Sequence, residues 1–425
     1  MKSRRSLSLS DVEMGRISME NEAITGMSLK KFPDVVEALA LVKVSFAAAN
    51  AEWGLLEREK AEKIVRACAE IQEKAPPELF CEFWVEDLSV LDHKMNKWLA
   101  CKTGIAEREA ALAQTVPVLS QAVESVVIGR RLRKALEGTE ILEQELRRKA
   151  LEFSDKVRVS RTHMAEDALS TWGQVFGALA LSVERARGRL QADLKLFSVS
   201  LAGSFVLGSY LAPRDYARSL CAEIASRSSL PMAAPQDAEG IPAGSAALDQ
   251  LMGSDRLMIL MSDVRLTAMA FTRMCHGFFV YGSGPRAGIA EITLPAIAPG
   301  STIMPGKINP SMPMLLLQEA EHILASDQMS VYSYNELDFD GSYQSGGAFI
   351  MATESLELID RGSRLFTEKC LKGFGITEAS AIHANQFFAG GAGSEAEELR
   401  ITKNGLSFDD LKKALNSDWE KTNAD

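Results

Sequence analysis

The sequence predicts an all-α protein whose long helices pack as a bundle, and three observations predict it. Apolar residues step by three or four over long stretches: Trp172, Phe176, Leu179, Val183, Ala186 and Leu190 line one helix face, and Met261, Val264, Ala268, Phe271 and Cys275 line another. Strand-like alternation is scarce. Turn clusters are few and far apart, as long helices require. No internal repeat or low-complexity tract interrupts this pattern.

The 425 residues can bury a large core and hold two or three domains. Three blocks are expected. Residues 1–104 form a first helical region ending near Lys102-Thr-Gly104. Residues 105–362 carry the longest periodic segments, broken by loops at 202–214, 231–246 and 282–310. Residues 363–425 form a small C-terminal region with Gly390-Gly-Ala-Gly393. There the spacing of Leu406, Phe408, Leu411 and Leu415 favours a folded helical cap over a mobile tail.

The net charge of −10 argues against nucleic acid or an anionic membrane as the main partner, while a local basic pocket could still hold an anionic substrate. Six cysteines lie far apart without a CxxC pair and read as reduced, mostly buried thiols. No apolar run reaches the length of a membrane span. The start, Met1-Lys-Ser-Arg-Arg-Ser, is basic but lacks an apolar signal core, and Asp11, Glu13 and Glu20 follow. A cytoplasmic protein is expected, with an organelle transit peptide as the alternative.

The segment 282–310 is crowded with breakers: Gly282, Gly284, Pro285, Gly288, Pro295, Pro299, Gly300, Pro305, Gly306 and Pro310. It cannot be one helix and must be a shaped loop. Long loops in compact domains are usually functional or disordered. This one brings a hydroxyl (Ser301), a cation (Lys307) and an amide (Asn309) close together, the equipment for gripping a carboxylate and moving a proton. The plain alternative is a Pro/Gly surface loop.

The stretches Ser283-Gly-Pro-Arg-Ala-Gly288, Glu291-Ile-Thr-Leu-Pro295 and Gly300-Ser-Thr-Ile-Met-Pro-Gly-Lys-Ile-Asn-Pro310 resemble the signature loop of the fumarase/aspartase superfamily, in its class II fumarase and aspartate ammonia-lyase branch. The likeness extends outward. Phe32 to Lys43 looks like the family's first long helix, and Lys149 to His163 like the approach to its second signature. Ala202-Gly-Ser-Phe-Val-Leu-Gly-Ser209 sits where the family has a Gly-rich turn. The resemblance implies a three-domain all-α fold with a long central helix bundle. It also implies a homotetramer in which each active site draws on three subunits. It implies a small carboxylate substrate and no metal or organic cofactor.

Enzymes of this family eliminate ammonia, water or another group from succinate-like acids. A base takes the proton beside one carboxylate, the charge spreads into an aci-carboxylate, and the leaving group departs. A serine hydroxyl needs nearby cations and donors to act as that base, and donors must be pre-placed where the charge develops. By resemblance Ser301 is the base, Lys307 and Asn309 grip the carboxylate, and Thr302 keeps a hydroxyl beside them. Ser301 could otherwise serve only as a loop or N-cap hydroxyl. Ser160-Arg-Thr-His-Met-Ala-Glu-Asp-Ala168 resembles the second signature, so Thr162 is implied to touch substrate and His163 to assist the acid step. The other histidines carry no motif and read as structural or surface residues.

The rest of the pattern departs from the family. Ser89-Val-Leu-Asp-His-Lys-Met-Asn96 stands where the first signature lies, keeping Ser89, Met95 and Asn96 but placing Leu91 and Asp92 where hydroxyls are usual. Asp92 would repel a carboxylate or bind a cation. The substrate-holding segment that normally follows is missing between Cys101 and Ala110. The glutamate that normally partners the histidine is replaced by Met314, while Asn335 survives further on as a candidate substrate contact. The proton-abstracting half is kept and the substrate-reading half is rebuilt. The expectation is a lyase performing β-elimination, or the reverse addition, on a non-standard acid. The alternatives are a catalytically impaired paralogue acting as scaffold or hetero-oligomer partner, or an old base turned to decarboxylation or cyclisation.

Overall fold

A computed structural model describes residues 33–73, 79, 88–198, 214–253, 255–304, 306–333 and 346–387. The Gly-rich turn at 202–209, Asn335 and the cap at 406–415 lie outside them. In chain order the elements are α1 (Pro33–Glu52), α2 (Arg58–Glu73), α3 (Leu88–Thr103), the short α4 (Glu107–Ala110), α5 (Val116–Glu152), β1 (Val157–Thr162), β2 (Ala165–Thr171) and α6 (Trp172–Leu196). There follow α7 (Arg214–Ser228), α8 (Ser245–Met252), α9 (Asp255–Tyr281), β3 (Ile292–Thr293), α10 (Ser311–Ser333), α11 (Gly346–Phe366), a π-helical turn (Thr367–Leu371), β4 (Gly375–Ile376) and α12 (Glu378–Phe387). The class is all-α. The strands form only two small antiparallel pairs, β1 with β2 and β3 with β4. Among the described residues no helix is long and apolar enough to cross a membrane.

The periodicities hold. Met261, Val264, Ala268, Phe271 and Cys275 are all buried on α9, as are Trp172, Phe176, Val183, Ala186 and Leu190 on α6. Leu179 is only half-buried, and Ala180 takes the inward place beside it. The chain divides into two compact units, and the division falls inside α5, α6, α9, α10 and α11, so both units draw on the same long helices.

The first unit comprises residues 1–136, 188–265 and 322–358. Arg131 of α5 ties it together: Nε and Nη2 donate to both Asp34 oxygens at 2.8 and 3.0 Å, and Nη1 donates to Glu357 at 2.5 Å. A two-pronged guanidinium–carboxylate contact fixes direction as well as distance. The same unit holds a buried carboxyl pair. Asp193 is 2% exposed beside Asp263, which is ion-paired with Arg189 at 3.1 Å. Burial, then the neighbouring Asp263 charge, push the Asp193 carboxyl up to about 7 from 3.8. The folded state therefore binds this proton more tightly than the unfolded chain does. Its contribution to stability is complete below about pH 4 and is lost as pH rises through about 7. Asp193→Asn, a permanent neutral mimic, is expected to flatten the decline in stability between pH 4 and 7, read by urea unfolding across that range.

The second unit comprises residues 137–187, 266–321 and 359–425. Its core is a cluster of phenylalanines. Phe374 meets Phe176 edge-on at 4.9 Å and Phe278 at 4.9 Å, while Phe153 and Phe366 close the sides at 5.6 Å from Phe176 and 6.0 Å from Phe278. Such ring pairs add directional preference to the burial of large apolar surface. Phe278 lies three residues before the end of α9, and Phe374 directly precedes β4.

Candidate functional site

The loop from 282 to 310 is built in two lobes. The first is knotted by Ser283. Its hydroxyl donates to the Val280 carbonyl at 2.6 Å and accepts from Ile289 N–H at 3.1 Å, and its own carbonyl accepts from Ala290 N–H at 2.7 Å. The chain thereby doubles back, and Glu291 N–H donates to the Tyr281 carbonyl at 3.0 Å. Ile292 and Thr293 then pair with Ile376 and Gly375.

The second lobe carries the signature residues. Pro299 and Ile308 face each other as a bridge, Gly300 N–H donates to the Lys307 carbonyl at 3.0 Å, and Asn309 Nδ2 donates to the Gly300 carbonyl at 3.3 Å. A Cβ on Gly300 would lie 2.6 Å from the Lys307 carbonyl oxygen, so the closure needs glycine there. Ser301 is half-buried and its hydroxyl accepts from Ile303 N–H at 3.3 Å. Thr302 and Lys307 are exposed, and Ile303 at the tip is 84% exposed. One short lobe thus brings Ser301, Thr302, Lys307 and Asn309 together, and Asn309 has a structural duty within it.

Thr162 and His163 end a hairpin. Thr162 pairs with Ala165, and His163 and Met164 form the two-residue turn with φ of 50° and 67°. Positive φ at both turn positions matches the twist of a hairpin but is unfavourable for side-chain-bearing residues, by about 1–2 kcal/mol each. Both side chains are exposed, and His163 hydrogen-bonds no carboxylate among the described residues. Met314 is 43% exposed on the first turn of α10.

The hairpin base is charged and buried. Arg158, 6% exposed, lies 4.9 Å from the Trp172 ring centre and 4.6 Å from that of Tyr281. Burial lowers its proton affinity, and the neighbouring Tyr281 and Glu291 partly offset this. Arg161 pairs with Glu291 at 2.8 Å, and His383 Nδ1 meets the same Glu291 oxygen at 3.0 Å. Glu291 is fully buried. Arg161, Glu291 and His383 were not singled out as interacting from sequence, although Glu291 and Arg161 both lie inside the quoted motifs.

The remaining candidates lie in the first unit. Asn96 is buried on α3, accepting from Lys43 Nζ at 2.7 Å and donating to Asp92 at 3.1 Å. Lys43, 1% exposed in the apolar face of α1, also pairs with Asp92 at 2.5 Å and donates to Gln114 at 2.6 Å. Two of its ammonium protons go to the Asn96 and Gln114 side-chain oxygens, and the Asp92 contact is an ion pair without hydrogen-bond geometry. Asp92 does bind a cation, and the cation is the chain's own. Ser89 lies within α3, its side chain outside the described residues. The short α4 and the turns around it occupy the region where the substrate-holding segment is missing.

A family model described as "Lyase" matches residues 12–324. The aspartate ammonia-lyase of a Bacillus species is 26% identical over 380 residues, covering 84% of this chain and 78% of that protein. The class II fumarate hydratase of Mycobacterium tuberculosis is 26% identical over 386 residues, covering 84% and 75%. Among solved structures, a fumarate lyase:delta crystallin from Brucella melitensis superposes with a TM-score of 0.77 at 20% identity, covering 95% of each chain. A class II fumarase from Schistosoma mansoni gives 0.78 at 19% identity, covering 94% of this chain and 91% of that one. At these identities the structural likeness establishes the fold alone.

Proposed function

Since the chain belongs to the fumarase/aspartase superfamily of lyases, we propose that it catalyses β-elimination, or the reverse addition, on a carboxylate-bearing substrate other than malate or aspartate. Ser301, as alkoxide, takes the proton from the carbon beside a carboxylate. The electron pair enters that carboxylate as an aci-carboxylate, held by Lys307 and Asn309. It then returns to form the double bond as a nitrogen or oxygen leaving group departs with its own bonding pair, protonated with help from His163. Thr162 and Thr302 contact the substrate. Ser89, Asn96 and Asn335 complete the proposed substrate-contact set. The observation that carries this reading is the lobe closed by Gly300 N–H to the Lys307 carbonyl and by Asn309 Nδ2 to the Gly300 carbonyl, which puts Ser301, Lys307 and Asn309 on one short turn. A backbone closed before substrate arrives sets where these groups start from, and fewer of them need reorganise as charge develops.

Among the described residues the Ser301 hydroxyl bonds Ile303 N–H, and the homotetramer that the family likeness implies would bring further groups to it from other subunits. Leu266 and Met269 on α9, 40% and 53% exposed, are apolar surface such packing would cover. Met269→Glu is expected to lower the mass in solution from tetramer to smaller species, read by light scattering after gel filtration. Buried thiols at Cys68, Cys221, Cys275 and Cys370, raised to about 12 by burial, suit a reducing, cytoplasmic setting.

The test is absorbance at the enoate band with substituted succinates, bulkier β-substituted acids, and fumarate with amines. Turnover of a non-standard acid supports the reading. Turnover of malate or aspartate overturns the altered specificity. Silence across the panel favours the second reading, an impaired paralogue acting as scaffold or hetero-oligomer partner. That reading is favoured by Lys43, which pairs with Asp92 and donates to Asn96 inside the chain.

A further inference from the structure

Glu291 joins the two parts of the second unit that carry the proposed reacting groups. It lies ten residues before Ser301, and Arg161 directly precedes Thr162 and His163. The Glu291 backbone is fixed at both ends, its N–H donating to the Tyr281 carbonyl and its carbonyl accepting from Thr377 N–H, each at 3.0 Å. Its carboxylate, wholly removed from water, takes Arg161 at 2.8 Å, and Arg161 is itself 8% exposed at the side chain. A buried pair of this kind specifies geometry, since separating it strands a charge where water cannot reach.

A second observation is independent of the ion pair. The β1–β2 register shifts between Ser160 and Arg161, where β2 carries the extra residue Asp167, so the tip beyond it is set off from the rest of the ladder. Within the tip Arg161 is turned inward to Glu291 and Thr162 outward, as successive strand residues are. The tip beyond it holds His163 and Met164 at positive φ. Strained backbone persists only where its surroundings over-determine it. The Arg161–Glu291 contact is anchored two residues before that strain, and the Arg161 guanidinium, 5.7 Å from the Tyr281 ring centre, is held from a second side.

We infer that Glu291 is a positioning residue: through Arg161 it holds the hairpin tip bearing Thr162 and His163 in fixed register with the loop bearing Ser301. Its value to catalysis rests on the lyase reading above; the register itself does not.

The test separates the two. Spin labels are placed at Met164→Cys and Ile303→Cys, both exposed, with Cys81 and Cys101 replaced by serine and labelled chains diluted into unlabelled ones. A narrow inter-label distance distribution is expected, broadening at least twofold in Glu291→Gln. Arg161→Lys, which keeps the charge but loses the planar fork, is expected to broaden it less and serves if Glu291→Gln does not fold. An unchanged width in the folded variants overturns the inference, whatever the activity. In a second arm, on any acid that wild type turns over, Glu291→Gln is expected to lower kcat at least tenfold with KM within threefold. A fall confined to KM would overturn the positioning role. If wild type is silent on every acid while the distances broaden, the register stands and the lyase reading falls.

Discussion

Ser301→Ala is expected to abolish turnover, by at least about 10³-fold in kcat, while leaving fold and oligomer size intact. The two halves of this expectation have separate grounds. The Ser301 hydroxyl is half-buried in an exposed lobe and accepts a single hydrogen bond, from Ile303 N–H at 3.3 Å. Losing such a contact costs about 1 kcal/mol or less. The lobe remains closed by Gly300, Lys307 and Asn309, which the substitution does not touch. Of the other assigned side chains of the lobe, Lys307 is a cation and Asn309 an amide, and the Thr302 hydroxyl stands on the next residue along the backbone. The check is the initial rate at the enoate band beside circular dichroism and light scattering on the same sample. Unchanged turnover would remove Ser301 as the base. Asn309→Ala is a less direct probe, because Asn309 also fastens the Gly300 carbonyl and its loss would loosen the lobe.

The helices were legible because a buried stripe repeats every turn, and α6 and α9 show that stripe over their full length. The loop was legible because prolines and glycines forbid a continuous helix there. The β1–β2 hairpin was not. Its turn is His163-Met164, and neither residue belongs to the asparagine–glycine pairs that announce such a turn. The Glu291–Arg161 contact spans 130 residues of sequence, and no local pattern carries a pairing that distant. Lys43 left a faint trace, a single charge within the apolar run Val35–Phe46 apart from Glu37. A lysine so placed demands internal partners. Asp92 was read for what it could do to a substrate, and the side chain that answers it came from a helix about fifty residues earlier.

That pair carries the largest expected effect on stability. Lys43→Met fills similar volume but leaves the Asp92 carboxylate, in a residue 8% exposed, without its cation and Asn96 and Gln114 without their donor. Breaking a buried pair from one side costs about 3–5 kcal/mol. Lys43→Met with Asp92→Asn removes the stranded charge as well, so the double variant is expected to be more stable than Lys43→Met alone. The excess over additivity measures the coupling. Urea midpoints at unchanged slope give these differences. A cost below about 1 kcal/mol for Lys43→Met would show that Asp92 finds a cation or water elsewhere, leaving it open to a cationic group of a substrate. The double variant also decides between the functional readings. If it folds and keeps wild-type turnover, the Lys43–Asp92 pair is scaffold and substrate is read elsewhere. If it folds and loses turnover, the pair that looks closed in one chain contributes to the reaction, and the scaffold reading loses the observation that favoured it.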